Sequence, residues 1–170
     1  MKHIFLVAII IGLGILTRAQ TEYEVSGNGS GKILKGLISR DMLEHDTAFK
    51  WFHDNQAGYM PAADEVAILR EKRSQLQFLV FGATWNDDSR HILPRFFSLV
   101  DAASLSPDQV TLIGVDRAKK SIRHLSEEMH ITQVPTFIIL KNGQEVGRVV
   151  AIGKDGQWDA AIAAIIAAQF

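Results

Sequence analysis

From residue 76 onward the apolar positions alternate between strand-like runs and helical stripes. Leu76–Gly82 is a short apolar run of the length of a buried strand. Across Asp87–Ala103, Ile92, Phe96, Leu99 and Val100 recur at i, i+4, i+7 and i+8, one face of a helix, and Pro94 inside it predicts a kink. Val110–Val115 is a second buried strand, so the three elements read as a right-handed βαβ unit. A connecting helix over about Lys119–Met129 presents Ile122, Leu125 and Met129. Thr136–Leu140 and Val146–Ile152 follow as strands, joined through Lys141-Asn142-Gly143-Gln144, whose Asn-Gly pair signals a tight hairpin. The last helix carries Trp158, Ile162, Ile165, Ile166 and Gln169 on one face, with Asp155 as its expected N-cap. The resulting order is β-α-β-α-β-β-α.

Upstream, the pattern is helical. Ser39 or Asp41 caps a predicted helix to about Asn55, in which Met42, Phe49 and Phe52 share a face. Gly58-Tyr59-Met60-Pro61 breaks it, and a second helix over Ala62–Arg73 turns Val66 and Leu69 inward. Residues 33–75 are thus expected as a helical arm packed on a core domain of residues 76–170. Before the arm, Ser26-Gly27-Asn28-Gly29-Ser30-Gly31 reads as part of a flexible linker over residues 20–32. Asn28-Gly29-Ser30 also fits the short glycosylation sequon.

Residues 1–19 stand apart. Lys2 and His3 precede the uncharged run Ile4–Leu16, and Thr17-Arg18-Ala19 offers small residues around a cut after Ala19. That is the layout of a secretory signal peptide. The competing reading is an uncleaved membrane anchor, but the run is shorter than the roughly 20 residues a span needs. The expectation is a secreted or periplasmic protein with no stable membrane anchor after cleavage. Loss of Lys2 and Arg18 moves the formal net charge from the −1 of the full chain to a more acidic value.

Composition narrows the chemistry. The 170-residue chain is 47% hydrophobic, enough for a core without covalent staples. It contains no cysteine. No disulfide, thiolate nucleophile or cysteine-linked lipid is available, although secretion usually means an oxidising compartment where disulfides persist. No basic stripe points to nucleic acid, and no motif implies a cofactor.

Two stretches, Phe78–Pro94 (FLVFGATWNDDSRHILP) and Val134–Gly143 (VPTFIILKNG), resemble the thioredoxin family, whose active site is usually W-C-x-x-C at the mouth of a helix. The resemblance matches the family tryptophan to Trp85, the nucleophilic cysteine to Asn86, the resolving cysteine to Ser89 and the kinking proline to Pro94. It matches the cis-proline loop to Val134-Pro135-Thr136, and the buried proton-shuttling acid to Val80. A closer likeness is to secreted bacterial thioredoxin-like proteins with a single cysteine in W-C-x-D-S. Asp88, Ser89, Pro94, Arg95 and Phe96 carry it, together with Val115-Asp116-Arg117, Gly143–Val149, and Trp51-Phe52 before Tyr59 and Pro61. Asn86 departs from that group at its thiol. The resemblance implies an α/β thioredoxin fold: a central mixed sheet of about four to five strands flanked by helices, in the order Val110, Leu76, Thr136 and Val146 strands, with the helical arm as an N-terminal extension.

Asn86-Asp87-Asp88-Ser89 can be read as helix capping, with acids complementing the helix dipole. A second reading gathers Asp87, Asp88 and His91 around a divalent cation, but no fourth ligand is evident. A Ser89 nucleophile would need an adjacent base, and His91, two residues on, does not share its helix face. The binding residues expected are therefore Trp85, Asn86, Asp87, Asp88, Ser89, Val134 and Pro135, with no catalytic residue and no metal ligand. Thioredoxin folds take extended peptides against the cis-proline loop, as an added strand does. The reading is a secreted, non-catalytic module for an extended peptide or exported protein. The alternative is a thiol-disulfide oxidoreductase by descent with degenerate or non-thiol activity.

Overall fold

The computed structural model describes residues 22–153 and 157–170. The leader over residues 1–19 and the expected cap Asp155 lie outside the described residues. The strands are β1 (Tyr23–Ser26), β2 (Ile33–Ile38), β3 (Leu76–Gly82), β4 (Val110–Gly114), β5 (Thr136–Lys141) and β6 (Gln144–Val150). They form one six-stranded sheet in the order β1-β2-β4-β3-β5-β6. Only β3 and β4 run parallel; the other neighbours are antiparallel. The helices are α1 (Arg40–His45), α2 (Trp51–Gln56), α3 (Ala63–Lys72), α4 (Asp87–Ala102), α5 (Leu125–Glu128) and α6 (Trp158–Gln169). This is the thioredoxin fold, of the α/β class. None of the described helices is long and apolar enough to cross a membrane.

Strand alternation divides the core in two. Phe78 and Val80 of β3, Leu112 of β4, and Phe137 and Ile139 of β5 face α4, α6 and the N-terminal helices. Phe81, Ile113 and Ile138 face the other way, toward Val115, Ile131 and Val134. On the larger side Phe96 is the hub. Its ring lies 5.1 Å from Phe78 and 4.7 Å from Phe137. The predicted periodicity of α4 is met, with Ile92, Phe96, Leu99 and Val100 all buried. The hairpin forms as the Asn-Gly pair requires: Asn142 and Gly143 take φ of 51° and 81°, and Lys141 pairs with Gln144.

The N-terminal third differs from its sequence reading. The linker expected over residues 20–32 contains β1 and a 3-10 turn at Gly29–Gly31. The arm opens with a strand, so the sheet has six strands instead of four to five, and the arm shares it with the core. Close backbone approach makes this possible. Gly36 has φ +110°, and a Cβ there would lie 2.4 Å from the Glu22 carbonyl; one at Gly114 would lie 2.3 Å from the Leu34 carbonyl. The helix expected from residue 39 to 55 is cut in two at Asp46. Ser39 caps α1 by accepting from the Met42 amide, as expected. Asp46 then accepts from the Ala48 amide at 2.9 Å and pairs with Lys32, which starts a new turn. The connecting helix shrinks to α5, because Arg123 and His124 take φ of 55° and 57° and a helix cannot run through them. With these breaks, α2 still packs on α4 and α3 on α6.

Candidate functional site

The site expected from the sequence lies where β3 ends and α4 begins. Asn86 is the N-cap of α4: its Oδ1 accepts from the Ser89 amide at 2.8 Å. Ser89 is fully buried, and its Oγ accepts from the Ala83 amide at 3.2 Å. Asp88 Oδ1 accepts from the Gly153 amide at 3.1 Å, tying the loop after β6 to the helix tip. Asp87 points outward, with Arg90 at 3.9 Å, a distance and exposure at which an ion pair adds little.

Asp87, Asp88 and His91 therefore go separate ways. His91 Nδ1 lies 3.3 Å from Asn55 Oδ1. Among the described residues no three His, Asp or Glu side chains are arranged to hold a metal ion. Ser89 has neither exposure nor a base.

Thr84 and Arg90 join the tip to the N-terminal segment. Thr84 Oγ1, buried, accepts from the Leu34 amide at 3.2 Å and donates to the Lys32 carbonyl at 2.9 Å. Arg90 Nε donates to the Thr84 carbonyl at 2.7 Å, and its Nη2 to the Ser30 carbonyl at 3.2 Å. The glycine-rich tract is thus fastened beside the site.

Trp85 is partly exposed. Its Nε1 donates to the Val115 carbonyl at 3.0 Å, and the ring packs on the smaller core. The Arg117 guanidinium lies 5.6 Å from the ring centroid, within cation–π range. Opposite, the Val134–Pro135 bond is cis. Val134 is buried at 5% exposure, and the Pro135 carbonyl accepts from the Ala151 amide at 3.0 Å. Residues 151–153 thus bridge the proline loop and the helix tip. Ile152, at their centre, is 57% exposed. The sequence reading missed Ile152 and Arg117. The apolar run ending at Ile152 made it look like the last residue of a strand. Nothing local to Arg117 places it over an indole thirty-two positions away.

A concavity of about 760 Å³ opens elsewhere, among Leu37, Met42, Val100 and Pro107, and contains none of the expected site residues. The pronounced electrostatics also lie elsewhere. Tyr59 donates to Asp159 Oδ2 at 2.7 Å, and burial, then Asp159, raises the phenol pKa. Burial, then Asp159 and Asp64, raises the neighbouring Glu65 carboxyl.

The family model for thioredoxin matches residues 65–165. Over 84 residues the chain is 32% identical to the TPR repeat-containing thioredoxin TDX of Arabidopsis thaliana, covering 49% of this chain and only 20% of that protein. Over 85 residues it is 28% identical to a thioredoxin of Echinococcus granulosus, covering 50% of this chain and 74% of that one. Among solved structures, Fasciola hepatica thioredoxin aligns at 21% identity and TM-score 0.41, covering 61% of this chain and 89% of that one. Schistosoma mansoni thioredoxin aligns at 24% and 0.39, covering 66% and 93%.

Proposed function

The chain belongs to the thioredoxin family, and from that premise we propose that it is a secreted or periplasmic, non-catalytic binding module. Its ligand is an extended peptide or a segment of an exported protein. The binding surface is made by Trp85 and the accessible residues of the α4 tip (Asn86, Asp87, Asp88), with the buried Ser89, Val134 and Pro135 supporting it from beneath. One observation carries the reading: the whole chain lacks cysteine, while thiol-disulfide exchange proceeds only by thiolate attack. The resemblance assigns Asn86 and Ser89 to the two thiol positions, and both side chains serve as internal hydrogen-bond acceptors. What the tip offers outward is a surface: the partly exposed indole, Gln133 just before the buried Val134–Pro135 turn, and exposed Ile152. An extended segment can add backbone hydrogen bonds there and seat alternate side chains. The leader-like pattern of residues 1–19 supports export.

The test pairs two assays on the purified protein. Insulin reduction with dithiothreitol should not exceed the protein-free rate. Capture from the exported fraction should recover partners with the native protein and lose them with Ile152→Asp, a change at an exposed position that should leave the melting temperature intact. Reduction above the control overturns the non-catalytic reading, and capture unaffected by Ile152→Asp overturns the surface.

A further inference from the structure

Beside Trp85 the chain after β4 folds into a tight knuckle over residues 116–120. The Asp116 amide donates to the Lys120 carbonyl at 3.0 Å, and the Lys119 amide to the Asp116 carbonyl at 2.8 Å. Asp116 Oδ1 accepts from the Ala118 and Lys120 amides, each at 2.9 Å, and Lys35 Nζ lies 3.2 Å from its other oxygen. Burial works to raise this carboxyl, but the Lys120 amide, Lys35 and the Ala118 amide together hold it below its ordinary value.

Asp116 is the only acid between Val115 and Ser126, and its charge is turned inward. The basic side chains have the opposite disposition. Arg117, Lys119 and Lys120 are all exposed, and Lys119 sits at the bend with φ 60°. Arg117 connects this charge to the indole face. Across the tip, the exposed carboxylate is Asp87. The exposed charge on the knuckle side of Trp85 is therefore cationic, while on the helix side Asp87 has Arg90 3.9 Å away.

We infer that the knuckle Arg117–Lys120 selects acidic segments, so that the partner bound beside Trp85 is an extended peptide carrying carboxylates on the strand face toward the knuckle. This rests on the peptide-binding reading above and adds the chemistry of the partner to it. In an extended chain alternate side chains share one face, so acids at every second position meet the knuckle while the intervening apolar side chains lie toward Trp85 and Ile152. Rim charges of this kind act through complementarity and association rate, and salt screens them.

The experiment uses two pools of blocked peptides that differ only in Glu or Gln at alternating positions, with apolar residues randomised between them. Titration calorimetry is run on the native protein, on Lys119→Gln with Lys120→Gln, and on Lys119→Glu with Lys120→Glu. Both lysines are exposed, so the variants should melt with the native protein. The Glu pool should bind roughly tenfold more tightly than the Gln pool, with the preference lost in the neutral variant, inverted in the charge-reversed one and suppressed by high salt. Equal binding of the two pools overturns the acid preference and leaves the peptide surface standing. Binding of neither pool overturns both. An oligothymidylate that binds as tightly as the Glu pool, through the same lysines, overturns the peptide assignment in favour of a general polyanion site.

Discussion

The tip of α4 and the seam between α3 and α6 use their polar side chains in opposite ways. At the tip, three side chains are spent on backbone amides: Asn86 on Ser89, Ser89 on Ala83 and Asp88 on Gly153. At the seam, Glu65 Oε2 is buried with no hydrogen-bond partner, close to Asp159 and the Tyr59 hydroxyl. Perturbed carboxyls often mark functional sites. In this protein the perturbation sits in a packing seam that reads as plain helix in sequence, while the residues that look like chemistry serve backbone amides, Asn86 as the cap of α4 and Ser89 and Asp88 on loop amides. The comparison teaches that acids at a helix start are first to be checked against the amides they can satisfy.

The largest effect should come from the fastening of the tip to the N-terminal segment. Thr84→Val keeps the shape but strands the buried Leu34 amide and the partly buried Lys32 carbonyl. Denaturant unfolding should show a loss of roughly 2–4 kcal/mol; a loss below about 0.5 kcal/mol would mean that β2 does not depend on this tie. Next, Asn86→Ala removes the α4 cap and should cost about 1 kcal/mol, while Asn86→Asp should retain most of it. If both variants cost the same, Asn86 is not acting as a cap.

The seam should respond with the opposite sign. A carboxyl raised above its unfolded value favours the protonated form in the fold. Its stabilising contribution is present below the unfolded value and lost as pH rises through the folded one. Glu65→Gln should therefore stabilise the protein at pH 7 by a few tenths to about 1 kcal/mol, with the gain vanishing in acid. A pH-independent change would assign the effect to packing. The smallest effect belongs to Asp87→Asn, which should stay within about 0.5 kcal/mol in stability.

The βαβ unit, the hairpin at Asn142-Gly143, α6 and the Ser39 cap were legible because each depends on residues close in sequence. The β2 strand was not. Ile33–Ile38 does alternate, with Leu34, Gly36 and Ile38 buried. But Lys35 and Gly36 weaken the run, and its strand state depends on pairing with Gly114 and Ile113 far along the chain. The glycine-rich tract looked free for the same reason, since Thr84 and Arg90 hold it from across the fold. At the site, the capping role was readable for Asn86, whereas Ser89 and Asp88 accept from the distant Ala83 and Gly153 amides and Asp87 points outward. The exposure of Ile152, the Arg117–indole stack and the half-burial of Trp85 all follow from loops meeting in space.

The central claim is that this protein binds extended chains at the α4 tip without thiol chemistry. It is tested most directly by amide chemical-shift mapping of the isotope-labelled protein titrated with an extended peptide pool. The account predicts shifts concentrated at residues 83–89, 115–120, 133–136 and 151–153, with the Trp85 indole N–H among the most affected. Shifts concentrated instead around Leu37, Met42, Val100 and Pro107, leaving Trp85 unmoved, would contradict it.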